Sequence, residues 1–331
     1  MSGTIIMTGA NGSVAVHAVQ NLLSKAPDTA LVLTVRNTSD SDINTRRLRE
    51  VTTRSPNSRV SIRKLDLASL KAVNEFAVTI SAEIMREKLP PLTAIVCNAF
   101  HWNMVADPEL TEDGLEKTIQ INHISHSALV LRLLGSFGPQ GGRVVLFTSN
   151  CHYPGRNGLE RYPPSIPDDL EELSKAVSEI DKQGRGFQRY ANSKLVILMW
   201  AYALSRRLET DKSLNKISAL VIDPGNIVDS RALRTNTPDM LSYMQKFVLQ
   251  PLQPVLRFIM PDMRRSADAG VDVAELALNR KHVGERGYFR LMVSGPSSAE
   301  SLDETKQERL WVKTAEWADI TGEDTALNTG V

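Results

Sequence analysis

Cysteine is nearly missing from this chain, with only Cys97 and Cys151 among 331 residues. Two thiols cannot build the disulfide framework of a small extracellular scaffold, so a reducing, cytoplasmic setting is expected. An excess of charge of one sign is missing too: 39 Lys and Arg against 38 Asp and Glu leave a net charge of +1. Without a basic stripe there is no electrostatic footprint for nucleic-acid binding. Apolar runs long enough to cross a bilayer are absent, and the start of the chain reads as a strand rather than as a charged-then-apolar leader. No Gly/Ser linker, charge block or internal repeat divides the sequence. One large domain over residues 1–331 is therefore expected.

What is present is alternation. With 42% hydrophobic and 23% charged residues, the composition is that of a globular enzyme, and short β-branched runs at 4–8, 30–36, 60–65, 93–97, 143–148 and 217–222 read as strands. Helical periodicity fills 14–24, 42–53, 69–87, 115–134 and 188–209 between them. The pattern predicts an α/β fold, a doubly wound parallel sheet of Rossmann type in a single domain, with insertions near the substrate site. Three stretches lie outside that frame. Residues 153–187, rich in Pro, Gly and charge, read as an insertion with a helix near 167–180. Residues 226–262 include an apolar run from Pro238 to Met260. After a last strand near 288–292, residues 300–320 read as a closing helix carrying Leu310, Trp311 and Trp317.

The first strand ends in Thr8-Gly9-Ala10-Asn11-Gly12-Ser13-Val14-Ala15 and runs straight into a helix. Unpaired backbone N–H groups and the helix dipole at such a turn hold a pyrophosphate; a ligand-free tight turn is the plain alternative. Strand two ends in Val35-Arg36-Asn37, where an NAD-selective site places an acid against the ribose 2′-hydroxyl. A guanidinium suits a 2′-phosphate instead, so NADP(H) is the expected cofactor, although an exposed arginine is also commonly just solvated. Asp66-Leu67 and Asn98-Ala99 close strands three and four at the carboxyl edge, where open α/β sheets bind ligands. Asp66 also suits a helix cap, and Asn98 an ordinary turn.

Tyr190-Ala191-Asn192-Ser193-Lys194 opens an apolar helix. Positions four apart share a helix face, so Tyr190 and Lys194 can meet one ligand. A neighbouring ammonium is expected to draw the phenol toward neutral pH, where it can trade a proton. Taken alone, this spacing occurs on many solvated helices. Thr148-Ser149 at the end of strand five and Asn122 within Ile121-Asn122-His123 add two more polar groups in the same chain order.

These residues together resemble the short-chain dehydrogenase/reductase family. Thr8 and Gly9 match its first turn, with Ser13 and Ala15 standing where that pattern has its later glycines; Asn98-Ala99 resembles its Asn-Ala-Gly segment, with Phe100 in the third place. The resemblance implies Tyr190 as general acid/base, with Ser149 bonding the substrate oxygen. It also implies Lys194 holding the nicotinamide ribose while lowering the tyrosine pKa, and Asn122 supporting a water relay. It further implies that Thr8, Gly9, Asn11, Gly12, Ser13, Val14, Arg36, Asn37, Asp66, Leu67, Asn98, Ala99, Lys194, Pro224 and Gly225 line the cofactor. Tyr190 lies 41 positions beyond Ser149 (190 minus 149), a spacing that resembles the retinol-dehydrogenase and protochlorophyllide-reductase branch, frequent in fungal natural-product pathways. His123, His126 and His152 lack metal-ligand spacing and read as non-catalytic.

The expected function is therefore NADPH-dependent reduction of a carbonyl on a lipophilic or aromatic small molecule, or oxidation of the alcohol. The apolar 238–260 segment reads as a substrate lid, with a core-packing helix, a dimer contact and an interfacial membrane helix as alternatives. Other readings keep the scaffold: a non-redox cyclase, isomerase or dehydratase using Tyr190, an alkene reductase, or a nucleotide-sensing partner protein.

Overall fold

In the computed structural model, which describes residues 3–328, the expected frame forms. Six strands, β1 Thr4–Met7, β2 Ala30–Val35, β3 Val60–Lys64, β4 Leu92–Cys97, β5 Gly142–Phe147 and β6 Ile217–Asp223, pair in parallel in the order β3-β2-β1-β4-β5-β6. The first, second and sixth are buried along their whole length, as expected of strands covered by helices on both faces. The order reverses between β1 and β4, which opens a crevice at the carboxyl edge.

On one face lie α1 Ser13–Lys25, α2 Ile43–Thr53 and α9 Ser266–Ala277; on the other lie α3 Leu70–Met85, α5 Ser125–Leu133, α6 Lys182–Thr210 and α10 Glu304–Trp317. The short α4 Lys117–Ile119 leads into α5 through a widened π turn over Gln120–Ile124. Trp200 of α6 stacks on Trp311 of α10, with ring centroids 5.7 Å apart and planes 13° from parallel. The closing helix is thereby locked to the helix that carries the candidate chemistry.

Three expectations need correction. The helix near 167–180 is a single 3₁₀ turn, Leu170–Leu173. Its two leucines are buried, but Val177 and Ile180, which continue the stripe, are exposed, and the Ser174 carbonyl is taken by the Glu116 N–H at 2.7 Å. The helix of Tyr190 begins earlier than its periodicity indicated, at Lys182, because the Asp181 side chain caps it through the Gly184 N–H. The last parallel strand, β9 Gly287–Arg290, stops short of Met292: Leu291 and Met292 both take left-handed backbone (φ 50° and 64°) and turn the chain into β10 Val293–Ser294, antiparallel to it.

Residues 226–262 form an excursion closed at its base. The two-residue strands β7 Asn226–Ile227 and β8 Met263–Arg264 pair in parallel; between them run α7 Asp239–Met244, a π turn over Gln245–Leu249 and α8 Gln250–Ile259. Gly225 starts the excursion at φ 84°, and a Cβ there would sit 2.7 Å from the Asp262 carbonyl oxygen. Only glycine tolerates both conditions.

Candidate active site

The turn after β1 is held from behind. Gly9 has φ 58°, and an added Cβ would lie 2.9 Å from Ala99. The Asn98 amide donates to the carbonyls of Thr8 (3.1 Å) and Gly9 (3.0 Å), while the Thr8 hydroxyl accepts from the Ala99 N–H at 3.0 Å. Thr8, Gly9, Asn98 and Ala99, on two adjacent strands, thus form one clamp. Gly12 caps α1 without a side-chain bond, so the first N–H groups of the helix, among them those of Ser13 and Val14, have no partner within it and are left for an anion. Ala15, in place of a glycine, is fully buried against the sheet. The Asn11 amide donates to Thr45 Oγ1 (3.0 Å), whose hydroxyl donates to the Asn37 carbonyl (2.8 Å), linking the turn to the end of β2. Arg36 beside it is exposed. Asp66 accepts from the Ala68 N–H at 3.0 Å, and the Leu67 carbonyl accepts from Ser125 Oγ at 2.6 Å, which ties the end of β3 to α5. The helix cap itself is Ser69. The free N–H groups of the turn, at the edge where the strand order reverses, fit the phosphates that a nicotinamide dinucleotide would bring.

Some 41 positions apart (190 minus 149) in the chain, Ser149 and Tyr190 are brought together at the end of β5, close enough for the serine hydroxyl to act on the phenol. Lys194, one turn along α6, is buried; its ammonium donates to the Phe147 carbonyl at 3.0 Å and stands 5.6 Å from the centre of the Tyr190 ring. Thr148 Oγ1 donates to the Lys194 carbonyl at 2.8 Å, so strand and helix are stitched together at the site. The π turn brings Asn122 into the same assembly. Its amide donates to the His101 carbonyl and to Ser193 Oγ, both at 2.9 Å, and its oxygen accepts from the His101 N–H at 2.6 Å. The Ser193 hydroxyl in turn donates to the Tyr190 carbonyl at 2.7 Å. In this structure the Asn122 side chain anchors the tyrosine turn.

Electrostatics also depart from the reading. Burial pushes the Tyr190 phenol well above its ordinary range, the Cys151 thiol and the Asp223 carboxyl add to the push, and the Ser149 hydrogen bond opposes it. Burial likewise pulls the Lys194 ammonium down to about 8. Burial is the largest cause for both groups, so the phenol is shifted away from ionisation, opposite to the direction expected from a neighbouring ammonium.

Several neighbours of the site were not legible in the sequence. Phe100, Trp102 and Phe187 surround Tyr190 with ring centroids 6.1, 5.3 and 6.2 Å away. Phe100, where the family pattern has a glycine, also sets its ring 5.7 Å from the Lys194 ammonium. Leu241 of α7, with Ala232 and Leu233, closes this apolar wall from the excursion. Arg231 reaches back to the first turn, its N–H donating to Ser13 Oγ at 3.1 Å and its guanidinium to the Asn11 carbonyl at 2.6 Å. The Gly225 N–H donates to Asp223 at 3.0 Å and the Pro224 carbonyl accepts from Arg264 at 3.4 Å, so this pair forms the hinge of the excursion. The three histidines read as non-catalytic are engaged structurally: His123 with Thr314 (2.7 Å), His126 with Thr8 (2.9 Å) and His152 with the Ser149 carbonyl (2.6 Å). Cys97 and Cys151 are free, buried thiols.

A Rossmann-type sheet with a glycine turn after its first strand and Ser149, Tyr190 and Lys194 gathered on the same edge is the scaffold of an oxidoreductase. The chain belongs to the short-chain dehydrogenase/reductase family and is similar to its fungal and retinol-dehydrogenase-like members. It is similar to the short-chain dehydrogenase iccH of Talaromyces variabilis, at 27% identity covering 98% of each chain. It is similar to the dehydrogenase acuH of Aspergillus aculeatus, at 51% identity over 28% of this chain and 94% of that protein. Retinol dehydrogenase 13 of Mus musculus is 26% identical, covering 94% of this chain and 82% of that one. The family described as AcuH dehydrogenase domain matches residues 231–327. In fold, the chain is similar to an NADPH-bound carbonyl reductase from chicken fatty liver, with TM-score 0.57 and 15% identity, covering 89% and 99% of the two chains.

Proposed function

We propose that this protein is an NADPH-dependent reductase of carbonyl groups on lipophilic or aromatic small molecules, or oxidises the corresponding alcohols. The observation that carries the reading is the convergence of Ser149, Tyr190 and Lys194 at the sheet edge that also bears the Gly9–Ser13 turn. Bound NADPH supplies the hydride. Ser149 donates a hydrogen bond to the substrate oxygen, and Tyr190 gives up its proton to that oxygen as negative charge develops on it. A phenol kept neutral by burial is in the right state for an acid in the reducing direction. Lys194 places positive charge beneath the tyrosine and steadies the phenolate left behind. The aromatic wall of Phe100, Trp102 and Phe187 favours an apolar, ring-bearing substrate. Support for NADPH over NADH comes from Arg36, exposed at the end of β2 and, among the described residues, without an ion-pair partner.

One observation favours a second reading. Phe100 sets an aromatic ring beside Lys194 where the family pattern leaves room, which would suit a non-redox cyclase, isomerase or dehydratase using Tyr190 alone. A panel of aromatic and aliphatic ketones separates the two: stoichiometric NADPH oxidation with alcohol formation is expected. Product formed without nucleotide consumption would overturn the reductase.

A further inference from the structure

Helices of globular proteins turn their apolar stripe inward. The 239–259 helical segment, formed by α7, its π turn and α8, is mounted the other way round. Its inward face is largely polar: Gln245 and Gln253 are almost fully buried. The Gln245 amide donates to the carbonyls of Val228 (2.9 Å) and Ser230 (2.6 Å), and the Gln253 oxygen accepts from Arg265 at 3.2 Å. Its outward face carries Met240, Tyr243, Phe247, Leu252, Val255 and Ile259 at helical spacing, with Phe247 61% and Ile259 78% exposed. Anchoring the helix by hydrogen bonds leaves a continuous apolar stripe in water, a costly arrangement for a free surface.

We propose that this outer stripe docks onto an anionic lipid membrane, with the helix lying in the interfacial plane. No described helix is long and apolar enough to cross a bilayer, so the helix lies on the surface rather than spanning. Charge selects the occupant. Between 239 and 265 the sequence carries Lys246, Arg257, Arg264 and Arg265 against Asp239 and Asp262. Asp262 is neutralised by Arg290 at 3.0 Å, and Arg264 by Asp272 at 2.7 Å. That leaves Lys246, exposed beside the stripe with its ammonium 5.2 Å from the Phe247 ring, and the exposed Arg265, against the exposed Asp239. A two-fold contact with a second copy would set this patch against itself and bring like charges together. Anionic headgroups complement it, and the Tyr243–Phe247 stack, centroids 5.9 Å apart, suits the headgroup level where aromatic rings gather. The inner side of the same excursion, through Leu241, joins the apolar cluster against which Tyr190 packs, so a lipophilic molecule leaving the bilayer would enter beside the site. Docking itself does not depend on the redox reading.

Flotation of the full chain with vesicles of phosphatidylcholine alone, and of phosphatidylcholine with phosphatidylglycerol, tests this, with light scattering for mass in solution. Capture by the phosphatidylglycerol vesicles is expected, weakened by salt, and reduced about tenfold or more by Phe247→Glu or Val255→Glu. Both residues are exposed, so the thermal melt and NADPH binding of these variants should match the parent, which separates lost docking from lost fold or lost cofactor binding. A parent that stays unbound to the vesicles overturns the proposal. If it is also a dimer that Phe247→Glu dissolves, the stripe belongs to a second copy.

Discussion

Arg231 and Ser13, 218 positions apart in the chain, meet at the turn after β1, where the Arg231 N–H donates to the Ser13 hydroxyl at 3.1 Å. The serine that replaces a glycine of the family pattern therefore has a use: it fastens the excursion to the turn. The Arg231 guanidinium is half-buried, and burial lowers its pKa while Asp42 pulls the other way. A partly desolvated cation beside the free amides of α1 would add charge-assisted binding for a pyrophosphate held there. Arg231→Ala is expected to weaken NADPH and NADH about tenfold each in a fluorescence titration, since the pyrophosphate is common to both. A loss confined to NADPH would move the contact to the 2′-phosphate. No loss at all would make the arginine purely a clasp.

Replacing Tyr190 by Phe keeps the ring among Phe100, Trp102 and Phe187 but removes the proton. Turnover of a responsive ketone should fall by about 10²- to 10⁴-fold, the usual worth of a positioned acid, while NADPH binding stays nearly intact. Activity retained by Tyr190→Phe would refute the assigned role. Ser193→Ala probes the support rather than the chemistry. It removes the link from Asn122 to the Tyr190 carbonyl, so a milder drop in kcat with KM for NADPH unchanged is expected.

The parallel frame was legible because it rests on local signals: β-branched runs, helical periodicity and a glycine turn between the first strand and helix. The residues of the candidate site were legible where short motifs mark them, as with Tyr190 and Lys194. What could not be read depends on contacts between distant segments. Nothing near Arg231 announces that it meets Ser13. The aromatic wall is assembled from Phe100 and Trp102 on one loop and Phe187 on α6. The direction of the Tyr190 shift was missed for a related reason: motif spacing reveals the nearby ammonium, but only the packed structure reveals how thoroughly both groups are desolvated. The reversed 239–259 helix has a plain amphipathic pattern, yet the pattern alone does not say which face points out.

Arg36 offers a test of cofactor choice that is independent of catalysis. Arg36→Asp places a carboxylate where it would accept a hydrogen bond from a ribose 2′-hydroxyl and repel a 2′-phosphate. The ratio of NADPH to NADH dissociation constants should invert, moving by about tenfold or more. An unchanged ratio would assign Arg36 to solvent. Because the side chain is exposed, the melting temperature should not move, which separates the recognition effect from a folding defect.

Stability should fall on mild acidification, and the buried histidines give the sign. His123 and His126 lie in the core beneath the site, and burial lowers both from 6.5 to about 3. In the unfolded chain they take up protons below about 6.5; in the folded chain they stay neutral until about 3. The unfolded state thus binds more protons throughout that window, so their contribution is fully present above it and is lost as pH falls through it. Each histidine contributes a slope approaching about 1.4 kcal/mol per pH unit well inside the window. Thermal melts between about pH 6.5 and 5, above the range where most carboxylates titrate, should show a declining Tm. The decline should be shallower in His126→Gln, whose amide can still meet the Thr8 hydroxyl. A Tm that stays level across this range in the parent protein would mean that the folded core accepts the protons, and that the link from Thr8 through His126 to the Asn122 carbonyl at 3.4 Å is not held in a neutral, dry interior.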